Sequence, residues 1–371
     1  MIIRNVMAFQ EGGSFVPGEL CIADGRFTDV PSGEVVDGGG CYAIPGLVDI
    51  HLHGCSGFDF CDGTPKALSA IAGYEAWRGV AAMCPTLMSF PEERLRAACE
   101  NAVAFRPDDA AAALAGIHME GPFLAPLRKG AQNGAYLHRP DVGLFRRLQR
   151  AAGGKIRLLG IAPELPGALG LIEELRDEVT LSLAHTDADY DTACEAFRRG
   201  ARHVTHLFNA MPPFLHRAPG VVGAAFDAPD CRVELIADGV HLHPGAVRAA
   251  FRLFGDNRVI LVSDSMMATG LPDGAYTLGG QAVTVSGRRA TLRDGTLTGS
   301  VTDLLGCLRT AVRDMDVPLG SAVKAATVNP AKAVGIFDQY GSLTPGKPAN
   351  LVLLDSDLNL RSVFLRGMKL F

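Results

Sequence analysis

Five apolar stretches of the chain end in side chains that can hold a metal ion or move a proton. They close on His51-Leu-His53, His118-Met-Glu120, His185, His206 and Asp264. Neutral imidazole and carboxylate are ligand types for Zn²⁺, and they also suit Fe²⁺, Co²⁺ and Mn²⁺. One or two such divalent ions among these groups, with Glu120 able to bridge two or bind one, would lower the pKa of a bound water from ~15.7 toward ~7 and polarise a carbonyl. Asp264 then reads as the acid/base that accepts the water proton and passes it to a leaving group. His118 shares a strand face with Glu120 and is expected behind it as an outer partner. His138, His203, His216 and His243 read as structural or surface residues. A single strand-end histidine is usually a hydrogen-bonded structural group. Independent structural choices would not place metal-capable groups at five strand ends.

Elements far apart in the chain must bring these groups together. Apolar, β-type runs occupy residues 47–53, 80–86, 114–120, 156–162, 179–185, 203–206, 233–238 and 259–264. The intervening segments have helical character, most clearly at 191–199 and Pro244–Phe254. Apolar strands alternating with helices argue for a parallel sheet buried on both faces. Eight of them between residues 47 and 336 predict an α/β fold of the (β/α)₈, TIM-like barrel type, whose C-terminal strand ends form one functional face. His51 and His53, two apart, then point to one side, toward the barrel axis. No G-x-G-x-x-G follows the first strand to favour a doubly wound sheet. Strands at Ile2–Phe9, 19–23 and 26–30, and again at 350–354 and 362–365, predict a small β-sandwich domain built from residues 1–46 and 337–371. Residues 273–295 alternate polar and apolar between glycine turns, which predicts a β-hairpin insertion after the eighth strand. A helix over 301–313 is expected to open on Ser300, with Asp303 three residues on. The alanine run at 110–113 reads as a linker or helix end.

Composition narrows the function classes. Hydrophobic residues are 48% of the 371 and charged residues 20%, enough for a large core. Lys+Arg 35 against Asp+Glu 40 gives −5, which excludes binding to nucleic acid or an anionic membrane through bulk charge. No apolar run approaches the ~18 residues of a membrane span. The opening MIIRNVMAFQEGG lacks the charged, apolar and small-residue order of a signal peptide. Nine scattered cysteines without a C-x-x-C read as reduced thiols of a cytoplasmic protein.

Eight stretches carry a resemblance across nearly the whole chain. They are PGLVDIHLHG (45–54), HMEGPFLAPLRKGAQN (118–133), AHTDAD (184–189), THLFNAMPPFLHRAPG (205–220), IADGVHLHP (236–244), LVSDSMMATGLPDG (261–274), DGTLTGS (294–300) and NPAKAVG (329–335). At these residues the chain resembles the amidohydrolase superfamily, and more narrowly the family of N-acetylglucosamine-6-phosphate deacetylases. MEGPF, THLFNAM and DGVH together mark the narrower family, while H-x-H and NPA mark only the superfamily. The resemblance implies hydrolysis of the acetamide of N-acetyl-D-glucosamine 6-phosphate to D-glucosamine 6-phosphate and acetate. It implies metal ligands at Glu120, His185 and His206, and the acid/base at Asp264. It also implies sugar and phosphate contacts at Ala131, Gln132, Asn209, Ala210, Arg217, Asp238, Gly239, Val240, His241, Leu297, Thr298 and Gly299. Members of the family are homodimers, and Arg217 is the candidate for a residue lent to the partner's phosphate pocket. Some relatives lack the first-strand histidines and use one metal. Their presence here points to a second metal position. Some carry His where Gln132 stands. Gln can donate a hydrogen bond to the acetyl carbonyl or a sugar hydroxyl but cannot carry a proton charge.

The residues support the same substrate class directly. Arg217 offers a planar fork for a phosphate, His241 lies at the end of the seventh strand, and the THLFNAMP turn offers backbone N–H groups. Three other readings stay open. The same chemistry on N-acetylgalactosamine 6-phosphate is the nearest. A cyclic-amide hydrolase would want a carboxylated lysine in place of Glu120, and no lysine ends any of the eight runs. A barrel that only binds would have no need to keep Glu120, His185, His206 and Asp264 together.

Overall fold

In the computed structural model, which describes residues 1–371, eight parallel strands form the centre of the molecule. They are β1 (Leu47–Leu52), β2 (Val80–Leu87), β3 (Ile117–Phe123), β4 (Ile156–Ile161), β5 (Thr180–Leu183), β6 (His203–Val204), β7 (Arg232–Leu235) and β8 (Val259–Leu261). Each pairs with the next, from β1 to β8. Past the ends of β8 and β1, the Asp264 N–H donates to the His51 carbonyl at 2.9 Å and the His53 N–H to the Ser265 carbonyl at 2.8 Å, so the cylinder is nearly closed. Every residue of β1, β2 and β3 is buried, as strands covered on both faces must be.

β7 ends at Leu235, short of the expected 238, and β5, β6 and β8 also stop short of their expected ends, these three for a local reason. His185, His206 and Asp264 have φ of 45°, 30° and 47°. A residue in the left-handed region cannot continue a ladder, and without glycine it costs roughly 1–3 kcal/mol. The backbone turns at the residues that carry reactive side chains.

The lower barrel is filled with apolar groups. Val48, Ile50, Ala82, Cys84, Leu158, Ile236, Ile260 and Val262 form one cluster with Ala331, Val334 and Ile336. These residues come from opposite sides of the cylinder and can meet only across its axis. In β1 the register against β2 shifts between Asp49 and Leu52, and Asp49 Oδ1 accepts the His51 N–H at 3.2 Å. This bulge keeps Ile50 in the apolar layer while its neighbour His51 also turns inward, above it.

The helices pack around the barrel into an 86-residue core. Tyr190–Arg199 and Pro244–Phe254 match the expected helices, capped by Asp189 and His243 side chains that accept the N–H groups of Thr192 and Gly245. The helix expected over 301–313 instead runs Leu304–Arg313. Its cap is Asp303, which accepts the Gly306 N–H at 2.7 Å, because the Ser300 hydroxyl is used on the Ser263 carbonyl at 2.6 Å. The alanine run enters a short strand, Ala113–Leu114, on the edge of β2. The insertion is a three-stranded meander (Gly274–Leu278, Gln281–Ser286 and Arg289–Leu292) rather than one hairpin, because the alternation continues through a second glycine turn at Gly287.

Strands from both termini form one eight-stranded sheet, which includes three short strands beyond those expected, Val35–Asp37, Tyr42–Pro45 and Met368–Lys369. Its N- and C-terminal parts also meet where the Phe27 N–H donates to the Lys347 carbonyl and the Ala349 N–H to the Gly25 carbonyl. Ile3, Ile22, Phe27, Leu351, Leu353 and Phe364 share its core.

Candidate metal centre and catalytic cleft

Glu120 lies in β3, and two histidines from beyond β5 and β6 reach it. His185 Nε2 and His206 Nε2 are each 3.0 Å from Glu120 Oε1 and 3.1 Å from one another. All three side chains are buried. His185 Nδ1 lies 2.8 Å from the Arg128 carbonyl. A carbonyl only accepts, so this nitrogen carries the proton and Nε2 presents its lone pair to Glu120. Two imidazole nitrogens and a carboxylate oxygen converging in a buried site are a donor set that a divalent cation takes. Burial works against the Glu120 charge, but the rings of His185 and His206 outweigh it and hold the carboxyl well below its usual range.

A second group shares Glu120. His53 Nε2 is 3.5 Å from Glu120 Oε2 and 3.2 Å from Asp264 Oδ1. His51 Nε2 is buried without a hydrogen-bond partner, 3.6 Å from Glu120 Oε1 and 3.5 Å from Asp264 Oδ1. These residues also fit a divalent ion. Burial would raise the Asp264 pKa, but the charge of His51 and the hydrogen bond from His53 hold it below the usual value, so its resting form is the base.

His51 is oriented by a residue that sequence reasoning missed. Glu234 Oε2 accepts from His51 Nδ1 at 2.9 Å. Burial opposes charge on both partners. Even so, Glu234 and Asp264 hold the His51 pKa up at about 10, and the His51 ring holds Glu234 down at about 2. A carboxylate on the far nitrogen fixes the tautomer of a ligating histidine. The available signal was a glutamate inside the otherwise apolar run VELIA, since a buried carboxylate is rare unless paired. His118 packs edge-on against His51 at 4.6 Å, and burial followed by the His51 charge pushes its pKa down to about 3. It is a neutral packing partner. Burial also lowers His203, to about 4.

The centre opens into a cleft of about 500 Å³. His53, Glu120, His185, His206 and Asp264 line it, as do Ala131, Gln132, Asn209, Ala210, His241, Leu297, Thr298 and Gly299. His51 lies behind this wall. So does Asp238, whose Oδ1 accepts the N–H groups of Val240 and His241 at 2.9 Å each. Gly239 and Val240 are not in the wall. His241 faces an acceptor at each nitrogen: Asp238 Oδ2 at 2.8 Å and the Thr298 carbonyl at 2.8 Å. Although burial opposes it, Asp238 raises the His241 pKa, and the ring offers positive charge rather than a free N–H. Arg217 stands apart. It is exposed, 2.6 Å from His216 Nε2, and does not line the cleft. The cations in the wall that sequence reasoning missed are Arg128, whose Nε donates to Asp187 Oδ1 at 2.7 Å, and Lys129, both inside the quoted stretch but not distinguishable there from surface residues.

Close packing supports the position of Glu120. A Cβ added at Gly160 in β4 would stand 2.3 Å from the Glu120 carbonyl oxygen and 3.2 Å from Ala184 Cβ. Gly160→Ala is therefore expected to cost roughly 1–3 kcal/mol of stability and to loosen metal retention. Denaturant unfolding and elemental analysis check both. Unchanged values would mean that β3 and β4 can part there without moving Glu120.

The Amidohydrolase family model matches residues 42–369. Over 380 aligned positions the chain is 37% identical to the N-acetylglucosamine-6-phosphate deacetylase of Bacillus subtilis, covering 99% of this chain and 96% of that one. It is 32% identical to the N-acetylgalactosamine-6-phosphate deacetylase of Escherichia coli, covering 99% and 98%. A mutant N-acetyl-D-glucosamine-6-phosphate deacetylase from Mycobacterium smegmatis, solved in complex with N-acetyl-D-glucosamine-6-phosphate, superposes with a TM-score of 0.92 at 32% identity. That match covers 100% of this chain and 98% of the other.

Proposed function

The chain belongs to the amidohydrolase family, and we propose that it hydrolyses the acetamide of N-acetyl-D-glucosamine 6-phosphate to D-glucosamine 6-phosphate and acetate. The observation that carries this reading is the convergence of His185, His206 and Glu120 within 3.0–3.1 Å at a cleft that Asp264 also lines. Glu120, His185 and His206 would hold a divalent ion, and His51 and His53 a second; when bound, such an ion would supply an acidic water and polarise a carbonyl. We assign Zn²⁺ to these ligands, which also suit Fe²⁺, Co²⁺ and Mn²⁺. Asp264 accepts the proton of the attacking water as oxygen bonds to the acetyl carbon. It then delivers that proton to the amide nitrogen as the C–N bond breaks, so the amine leaves neutral and acetic acid remains, which ionises to acetate by releasing its own proton to water.

Lys129 and His241 supply positive charge for the phosphate, beside the turn at Asn209 and Ala210. The protein acts as a homodimer, and Arg217 reaches the partner's cleft. Support comes from apolar side chains near the mouth and on the Arg217 loop: Leu127 is 84% exposed, Phe214 50% and Leu215 51%. The nine unpaired cysteines fit a cytoplasmic location. No helix is long and apolar enough to cross a membrane.

Acetate release is the test, with N-acetylglucosamine 6-phosphate, its galacto epimer and unphosphorylated N-acetylglucosamine side by side. The gluco phosphate is expected to be the fastest. The 32% identity to the Escherichia coli relative favours a second reading, the same chemistry on the galacto epimer, and a higher rate on that epimer would establish it. Release from none of the three would overturn both. Arg217→Ala is expected to raise KM roughly 10- to 100-fold for the phosphorylated sugar, the weight of a charged hydrogen bond, and to leave the unphosphorylated sugar unchanged. Equal losses on both would remove Arg217 from phosphate recognition.

A further inference from the structure

Gln132 is 1% exposed, and both ends of its carboxamide are in use. The side-chain oxygen accepts the Ser89 N–H at 2.8 Å. The side-chain nitrogen donates to Glu120 Oε2 at 2.7 Å. A backbone N–H can only donate and an ionised carboxylate only accepts, so these partners settle which end is oxygen. The two oxygens of Glu120 are thereby made different. Oε1 faces His185 and His206 at 3.0 Å, while Oε2 is tied to Gln132. We infer that Gln132 is a positioning residue that holds Glu120 in its ligating orientation, rather than a contact to the substrate carbonyl.

The surroundings support that role. Apart from Gln132, Oε2 has only His53 Nε2 nearby, at 3.5 Å, so this buried oxygen would lose its hydrogen-bond donor without the carboxamide. The same loop orients a second ligand, because the Arg128 carbonyl takes the His185 Nδ1–H. Residues 128–132 therefore hold two members of the Glu120, His185 and His206 group from outside. Such outer partners are typically worth 10- to 100-fold in metal affinity or activity.

The inference rests on the metal reading above, and the test separates the two. Gln132→Met keeps the length of the side chain and removes its donor. Chelator competition on this variant is expected to show metal affinity lower by ~10- to 100-fold. After reloading with Zn²⁺, KM for the sugar phosphate should change by less than about threefold, since no substrate contact has been lost. Gln132→Glu keeps an acceptor for Ser89 but offers no donor to Glu120, and it should weaken metal binding at least as much at neutral pH. It decides the matter if the methionine variant does not fold, and melting of the metal-free proteins identifies that case. A raised KM with wild-type metal affinity would overturn the inference and make Gln132 a substrate contact. Wild-type metal affinity in the glutamate variant would overturn it as well. If the wild-type protein itself holds no divalent ion, the metal reading fails instead.

Discussion

Asp264→Asn is expected to keep its metal and bind substrate but to turn over ~10²- to 10⁴-fold more slowly. Asparagine has the shape of aspartate and cannot take up a proton at neutral pH. Asp264 lines the cleft with Glu120, His185 and His206, and its carboxyl is held in the base form at rest by the charge of His51, against the effect of burial. It is placed to receive a proton from water on one side of the reaction and return it to nitrogen on the other. The measurement is kcat together with elemental mass spectrometry on the same preparation. Near-normal turnover with full metal content would remove Asp264 from proton transfer. Loss of metal in this variant would place it among the ligands, since its Oδ1 is only 3.2 Å from His53 Nε2.

Glu120→Ala should have the larger effect on the metal. Glu120 is the one side chain common to both clusters, with His185 and His206 on Oε1 and His53 near Oε2. Wild-type protein grown with adequate metal is expected to carry one to two equivalents, and the alanine variant to retain neither after dialysis. Activity should fall by more than ~10²-fold, because that is the upper end for losing an outer partner and Glu120 is a direct ligand. Elemental analysis before and after dialysis gives the first result and acetate release the second. A Glu120→Ala protein that kept its ions and its rate would end the account of this centre.

Several features of the molecule were legible before any coordinates. The apolar runs of the barrel strands stand out because a parallel strand covered on both faces has no wet side, so its residues are nearly all apolar. Polar groups then appear where such a run ends, which is why Glu120, His185, His206 and Asp264 can be picked out one by one. The end of a run does not reveal how the backbone leaves it. The left-handed turns at His185, His206 and Asp264 shortened β5, β6 and β8, and nothing in the composition of those stretches marks them. The cap of Leu304–Arg313 moved from Ser300 to Asp303 for a similar reason. The serine hydroxyl had a closer partner beside it just past the end of β8, in a residue 37 positions away.

Periodicity and residue type by themselves determined the barrel, the strand ends that bear metal-capable groups and the kind of ion such groups suit. They also determined that both termini would supply strands. Those properties depend on local alternation and on donor chemistry, and a linear order contains both. Only the tertiary structure decided that Glu234 stands behind His51, that Gln132 spends both ends of its amide on Ser89 and Glu120, that Lys129 faces the cleft and that Arg217 does not. Each of these is a matter of distance between groups from different strands and loops. Such distances are set when the cylinder closes, and the chain carries no local record of them.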